Sequence, residues 1–335
     1  MFGSILAMDR ADVALSAGYP FHKIKNIMKN LLIALFLLTN TFTFAHGDGG
    51  FRHSDIFKNL GPNDKVAILM VHFGTTHDDT RALTIDAINK KVAQAFPGVE
   101  VREAYTSRMI MRRLKEKGMN KPNPMEAMDK LIADGYTHLI IQPTNIIVGV
   151  EMEALQKEVA LYSKKFKDIR LGTALLHSPE DYQATVKAIA ASLQGKTKGD
   201  CVFVCHGTYH PANSTYGMLD YVMKAQGHKN YHVGTIEGYP TMDDVIRELE
   251  NNKAKEVTLI PFMFVAGDHA KNDIAGDWKE ELEKKGYKVN VVLKGLGEYP
   301  AIQELFIQHV KFASKHQRED ITVKKKKYEK TDDID

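Results

Sequence analysis

Two rhythms of apolar and polar positions take turns along residues 65–315. Short, nearly continuous apolar runs come first: KVAILMVHF, GVEVREAY, HLIIQPTNIIV, broken by Pro143, and IRLGTALL in the first half. Stretches with apolar residues at helical spacing lie between and after them. Over 78–96, for example, Ala82, Ile85, Ile88, Val92 and Ala95 fall on one face. The spacing predicts strands at the runs and helices over 78–96, 107–117, 124–134, 151–166 and 179–193. The second half repeats the rhythm. DCVFVCHG, YHVGTIE, EVTLIPFMFVAG and KVNVVLKG read as strands, the third ending in a loop. Helices are expected over 213–226, 242–251, 274–285 and 300–314. Strand alternating with helix predicts an α/β fold with parallel sheets. Runs without a polar face suit strands covered on both sides.

The halves also resemble each other. VHFGTTH at 71–77 matches VCHGTYH at 204–210, and HLIIQPTNIIVGVE at 138–151 matches VTLIPFMFVAGDH at 257–269. This predicts two similar α/β lobes, 65–195 and 196–316, each a parallel sheet flanked by helices. Open sheets of this kind place ligands beyond the carboxyl ends of their strands. All four repeated segments end there, so a ligand cleft is expected between the lobes. Residues 46–64 are Gly-rich and polar and read as a linker or mobile arm. Residues 317–335, with Lys324–Lys327 and then Asp332, Asp333 and Asp335, read as a charged, solvated tail.

Residues 28–45, MKNLLIALFLLTNTFTFA, have another character. A charged start precedes the apolar run from Leu31 to Leu38, and small residues Thr43 and Ala45 follow. This is the layout of a secretory signal peptide cut near Ala45. The run is too short for a membrane span, which takes about 20 apolar residues. The expectation is a periplasmic protein with no stable span after cleavage. Its two cysteines, Cys201 and Cys205, are four apart in DCVFVC. On a strand they lie about 13 Å apart, beyond the roughly 7 Å a disulfide allows, so they read as buried thiols on one face.

Composition narrows the function. Of 335 residues 44% are hydrophobic and 26% charged, as in globular chains, which excludes a disordered or fibrous protein. The net charge is only +3, which excludes a charge-driven nucleic-acid partner. No Walker A loop, His-Glu-x-x-His helix or full dinucleotide fingerprint occurs. Histidine is the unusual count, at 14.

Three potential metal ligands occupy one structural position. His206 follows the run DCVFVC, Glu237 ends YHVGTIE, and His269 follows VTLIPFMF in FVAGDHAKND. Each stands at the carboxyl end of an expected strand of the second lobe. Glu151 holds the corresponding place in the first lobe. Two imidazoles and a carboxylate suit a divalent first-row metal such as cobalt, nickel, iron or zinc. On the residues alone, a set of hydrogen-bonded loop side chains fits as well. His210 could pair with His206, although a loop role suits it better. His72 and His77 could serve as axial haem ligands or be ordinary loop histidines.

At these residues the sequence resembles a known family, the anaerobic sirohydrochlorin cobaltochelatases of the CbiK-type, class II chelatase group, as an exported member. The likeness runs from about Lys65 to about His309. It is carried by HFGTTHDDT, EAYTSRMIMRRL, IIVGVEMEAL, VCHGTYHPANSTYGMLD, IEGYPTMDDVI, IPFMFVAGDHAKNDIAGDW and GLGEYPAIQELFIQHV. The resemblance implies a two-lobed chelatase fold with metal ligands His206, Glu237 and His269 and an acidic cleft residue, Glu151. It implies ATP-independent insertion of Co²⁺ into sirohydrochlorin, as in cobalamin biosynthesis, with Fe²⁺ or Ni²⁺ as alternative metals. His206 is the candidate proton acceptor as well as a ligand. Met263, Phe264 and Val265 could flank the macrocycle or belong to the core. Arg108 could meet its carboxylates, whereas Arg112 and Arg113 better suit a solvated helix face. Export leaves a second reading open, a haem-binding or iron-scavenging protein on the same fold. A homo-oligomer is compatible with either.

Overall fold

The structure, a computed structural model, describes residues 50–58, 60–267 and 270–329. The expected signal segment, its cut near Ala45, His269 and the last six tail residues lie outside the described residues.

The described chain opens with a three-residue strand, β1 (Phe51–His53). The first sheet contains β2 (Val66–His72), β3 (Glu100–Tyr105), β4 (His138–Pro143) and β5 (Asp168–Leu171). All pairings are parallel and the order is β3-β2-β4-β5. The second contains β6 (Asp200–Gly207), β7 (Tyr231–Glu237), β8 (Glu256–Pro261) and β9 (Lys288–Val291), in the order β7-β6-β8-β9. Its pairings are parallel too. The sequence repeat is therefore a repeat of topology.

The helices start where local chemistry dictates. Asn123, Ser178 and Thr241 each accept a backbone N–H three residues on, and the acid at that position bonds back. Pro124 and Pro179 occupy the first helical position, where a missing N–H costs nothing. The helical run over 78–95 contains a wider π-type turn at Ala82–Asp86, and the run over 270–284 opens with another, Ala270–Trp278.

Central strands are buried on both faces. On β2, Ala67, Leu69 and Val71 pack in one core cluster with Met128, Leu131 and Leu155. Ile68 and Met70 belong to another with Ile85 and Ile88. On β6, Val202 and Val204 join Leu249 and Trp278, whereas Cys201, Phe203 and Cys205 join Leu219 and Met223. Both cysteines are free, buried thiols on one face of a core strand, as the spacing predicts.

The last helix of each half crosses over. Pro179–Leu193 packs beside Ser214–Ala225 of the second half, and Pro300–Lys315 lies on β4, β5 and Ala87–Ala95 of the first. One core cluster consequently holds residues of both sheets, including Ile68, Ile140, Phe203 and Ile260.

Two short elements carry no signal in the sequence pattern. β1, in the segment read as a linker, pairs antiparallel with β10 (His316–Arg318). Three residues are too few for alternation to register. The helix Ile321–Tyr328 lies in the segment read as a solvated tail.

Candidate functional site

In each sheet the strand order reverses at one point, between β2 and β4 and between β6 and β8. That is where open parallel sheets form a crevice beyond the strand ends. Loops following β2, β4, β6 and β8 bound a cavity of about 420 Å³, within the roughly 300–1,000 Å³ range of small-molecule sites. Its walls come from residues 73–77, 144–147, 149–151, 206–209 and 262–265, with Gly267 and Glu237.

His206 is the penultimate residue of β6 and is half-buried. Its Nδ1 stands 3.1 Å from the Gly207 carbonyl oxygen. A carbonyl only accepts, so Nδ1 carries a proton. Glu237 ends β7, in register with Gly207, and its side chain is exposed in the cavity. The two strand ends meet closely. A Cβ on Gly207 would lie 1.7 Å from the Glu237 carbonyl oxygen, and φ there is +86°. Only glycine fits that approach and that backbone.

Glu151 lines the cavity from the first lobe, half-buried in the first turn of the helix Val150–Ala160. An anionic side chain is favoured at that helix end. The chain leading to His269 is held in place. The backbone N–H groups of Leu296 and Gly297 donate to the carbonyls of Met263 and Phe264, at 2.7 and 2.9 Å. The Phe264 ring stacks on His72, with centroids 6.1 Å apart, and meets Phe306 edge-on at 5.5 Å.

His206, Glu237 and Glu151 thus border one cavity. Among the described residues no group of three or more His, Cys, Asp or Glu stands close enough to hold a metal ion. Two of the three expected ligands are described, and the third, His269, lies outside the described residues.

The other candidates separate. His72 does not border the cavity. It is buried, with Nδ1 3.0 Å from Thr144 Oγ1 and Nε2 3.0 Å from Asn89 Oδ1. Burial holds its pKa down at about 4. With both nitrogens engaged, it offers nothing to a haem iron. His77 borders the cavity, and Lys271 Nζ lies 3.2 Å from its Nδ1. An ammonium only donates, so that nitrogen accepts. His210 acts as a loop residue. Its Nδ1 accepts from the Ala212 N–H at 3.0 Å, and Nε2 stands 3.4 Å from Glu153. Met263, Phe264 and Val265 all line the cavity. Of the arginines, Arg113 lines it, whereas Arg108 lies 3.6 Å from Glu158.

Among the cavity residues that the sequence reading did not single out are two exposed aromatics. Phe73 and Tyr209 are exposed aromatic side chains at the cavity, 47% and 94% accessible. Their signal was an aromatic residue beside Gly-Thr in each repeated motif, FGT and GTY.

Comparison with known proteins places the fold and the family. The fold is similar to the crystal structure of the sirohydrochlorin chelatase SirB from Bacillus subtilis in complex with cobalt. The TM-score is 0.55 at 12% identity, covering 75% of this chain and 95% of that one. A sirohydrochlorin cobaltochelatase from Salmonella typhimurium is 37% identical over 252 residues, 73% of this chain and 95% of the relative. The sirohydrochlorin cobaltochelatase CbiKC of Nitratidesulfovibrio vulgaris is 32% identical over 257 residues, 74% of this chain and 90% of the relative. The model of the cobalt chelatase (CbiK) family matches residues 66–315, and the chain belongs to that family.

Proposed function

We propose that this protein inserts a divalent metal ion, cobalt, into sirohydrochlorin without nucleotide, the chemistry of cobalamin biosynthesis. The observation that carries the reading is the cavity itself. An imidazole and a carboxylate from adjacent strand ends, His206 and Glu237, stand in it with Glu151 on the other lobe.

Insertion requires a metal held by a few exchangeable ligands and then passed to four pyrrole nitrogens. His206 Nε2 and the Glu237 carboxylate supply such ligands, and the family resemblance adds His269. The hydrogen bond from His206 Nδ1–H to the Gly207 carbonyl fixes the ring and its tautomer, as outer partners of metal-binding histidines do. Two pyrrole protons must leave. Once the metal has passed to the macrocycle, the Nε2 lone pair is released and His206 takes one. Glu151 receives the other from the opposite wall. Phe73, Tyr209, Met263 and Val265 offer apolar surface to the macrocycle. Arg113 supplies a cation for its carboxylates.

The test follows the sirohydrochlorin absorption spectrum with Co²⁺ and no ATP. Wild type accelerates the change. His206→Ala lowers the rate by about 100-fold or more, the usual range for loss of a positioned acid–base group. An unchanged rate in His206→Ala defeats the assignment. Parallel reactions with Fe²⁺ and Ni²⁺ rank the metals. Haem added to the same preparation is not expected to be ligated by His72, whose two nitrogens are engaged.

We further propose that residues 28–45 export the chain to the periplasm. Support comes from the order of charged, apolar and small residues in the sequence. Amino-terminal sequencing of the periplasmic fraction is expected to begin near His46. Recovery of the uncut chain in the cytosol alone contradicts it.

A further inference from the structure

We infer that His53 and His316 form a second metal site, on the surface, for a late first-row divalent ion such as Ni²⁺, Cu²⁺, Co²⁺ or Zn²⁺. Neither residue borders the cavity, and the inference does not depend on the chelatase reading.

The ribbon of β1 and β10 sets the two histidines opposite each other. The Ser54 N–H donates to the Lys315 carbonyl at 2.8 Å and the Glu319 N–H to the Gly50 carbonyl at 2.6 Å. Those pairs are therefore hydrogen-bonded. Antiparallel pairs alternate, so His53 and His316 occupy a non-hydrogen-bonded pair, the type whose side chains lie closer. Their ring centroids are 5.4 Å apart and the planes nearly perpendicular, at 78°.

That spacing fits chelation. An imidazole nitrogen sits about 2.1 Å from a bound metal, and the ring centre about 1.1 Å beyond it. Two rings on one tetrahedral ion then have centroids about 5.2 Å apart.

The second imidazole is also prepared electronically. His316 Nδ1 lies 3.0 Å from the Phe312 carbonyl oxygen. Since that oxygen only accepts, Nδ1 carries the proton and Nε2 has the lone pair. The arrangement is the one metal-binding histidines use to fix tautomer and orientation. Phe312 also stacks on the His316 ring, with centroids 4.1 Å apart at 15°. One ligand is thus held rigidly before metal arrives, and His53, exposed, closes onto it. Water completes the shell. Two imidazoles favour late first-row ions over Mg²⁺ or Ca²⁺, which prefer oxygen ligands. The bound ion cross-links the amino-terminal arm to the end of the helix Pro300–Lys315.

The experiment is a Ni²⁺ titration of the untagged full chain by calorimetry, in a His206→Ala background that weakens the cleft. One equivalent is expected to bind. Adding His53→Ala should weaken that binding at least about tenfold, and so should His316→Ala. Circular dichroism and the metal-free melting temperature of the His53→Ala chain should match its parent, since the position is exposed. Ni²⁺ should raise the melting temperature only when both histidines are present. Equal affinity with and without His53, in a chain whose fold is unchanged, overturns the site, as does the absence of any bound equivalent in the parent.

Discussion

At the scale of single residues, Gly207 lets the strand ends that carry the candidate ligands His206 and Glu237 approach closely. A Cβ there meets the Glu237 carbonyl at 1.7 Å, and φ is +86°. Gly207→Ala must push the ends of β6 and β7 apart, besides costing about 1–3 kcal/mol of backbone strain. The expected result is weaker metal binding together with lower stability, read by cobalt titration and urea unfolding. Binding that survives intact argues against the closeness of these strand ends as the device. His72 carries a prediction in pH. Its pKa is about 4 in the fold against 6.5 when unfolded. The unfolded chain therefore binds the proton first, and stability contributed by neutral His72 is complete above about pH 6.5. It is lost as pH falls through that window to about 4, a change of about 3 kcal/mol. In His72→Gln the fall in unfolding free energy between pH 7 and 4 should be smaller by about that amount. Equal slopes contradict the assignment. His206, Glu237 and Glu151 were legible in the sequence because each ends a run or follows one. His72 also ends a run, yet it points into the core. Sequence gives a strand end but not which way its last side chain turns, and here Thr144 and Asn89 decide it.

Among the elements, apolar runs overshoot the strands at their carboxyl ends. HLIIQPTNIIV is broken at Pro143, where β4 stops, and Ile146 and Ile147 beyond it line the cavity. EVTLIPFMFVAG, read as a strand and loop, contains β8 as far as Pro261, and Met263 to Val265 of the loop belong to the cavity wall. The overshoot has a physical cause. A cavity lined by apolar side chains needs apolar loop residues, so apolar character continues past the strand ends. Both helices that cross between the halves were legible as helices, and their destination was not. Each follows its own lobe's last strand in sequence, and only packing shows that Pro300–Lys315 covers the first sheet and that Pro179–Leu193 lies against Ser214–Ala225. Phe306 on the closing helix is fully buried and meets Phe264 of the cavity loop edge-on. Phe306→Ala should cost about 3–5 kcal/mol, as large-to-small core changes do. Denaturant unfolding measures it, with the slope unchanged if the native state stays compact. A loss below 1 kcal/mol indicates that the helix does not hold the first sheet.

For residues 50–329 as a whole, the crossed helices bear on cooperativity. Two sheets with separate cores would be free to unfold separately. Here Pro300–Lys315 must leave β4 and β5 before the first half opens, and Pro179–Leu193 must leave Ser214–Ala225 before the second does. The shared cluster, holding Ile68 and Ile140 with Phe203 and Ile260, is lost by both halves at once. Arg170 of β5 adds a tie across the chain, donating to the carbonyl oxygens of Ala313 and Ser314 at 3.1 and 2.9 Å. The protein supplies its own reporter. Its single tryptophan, Trp278, is buried in the second half's outer cluster with Val245 and Leu249. Tryptophan fluorescence therefore follows the second half, whereas far-ultraviolet circular dichroism follows helices and strands of both. The two probes should give coincident urea midpoints and slopes, the mark of a single transition. If the fluorescence transition separates from the dichroism, the halves unfold independently, and the crossed helices pack against the opposite half without coupling it.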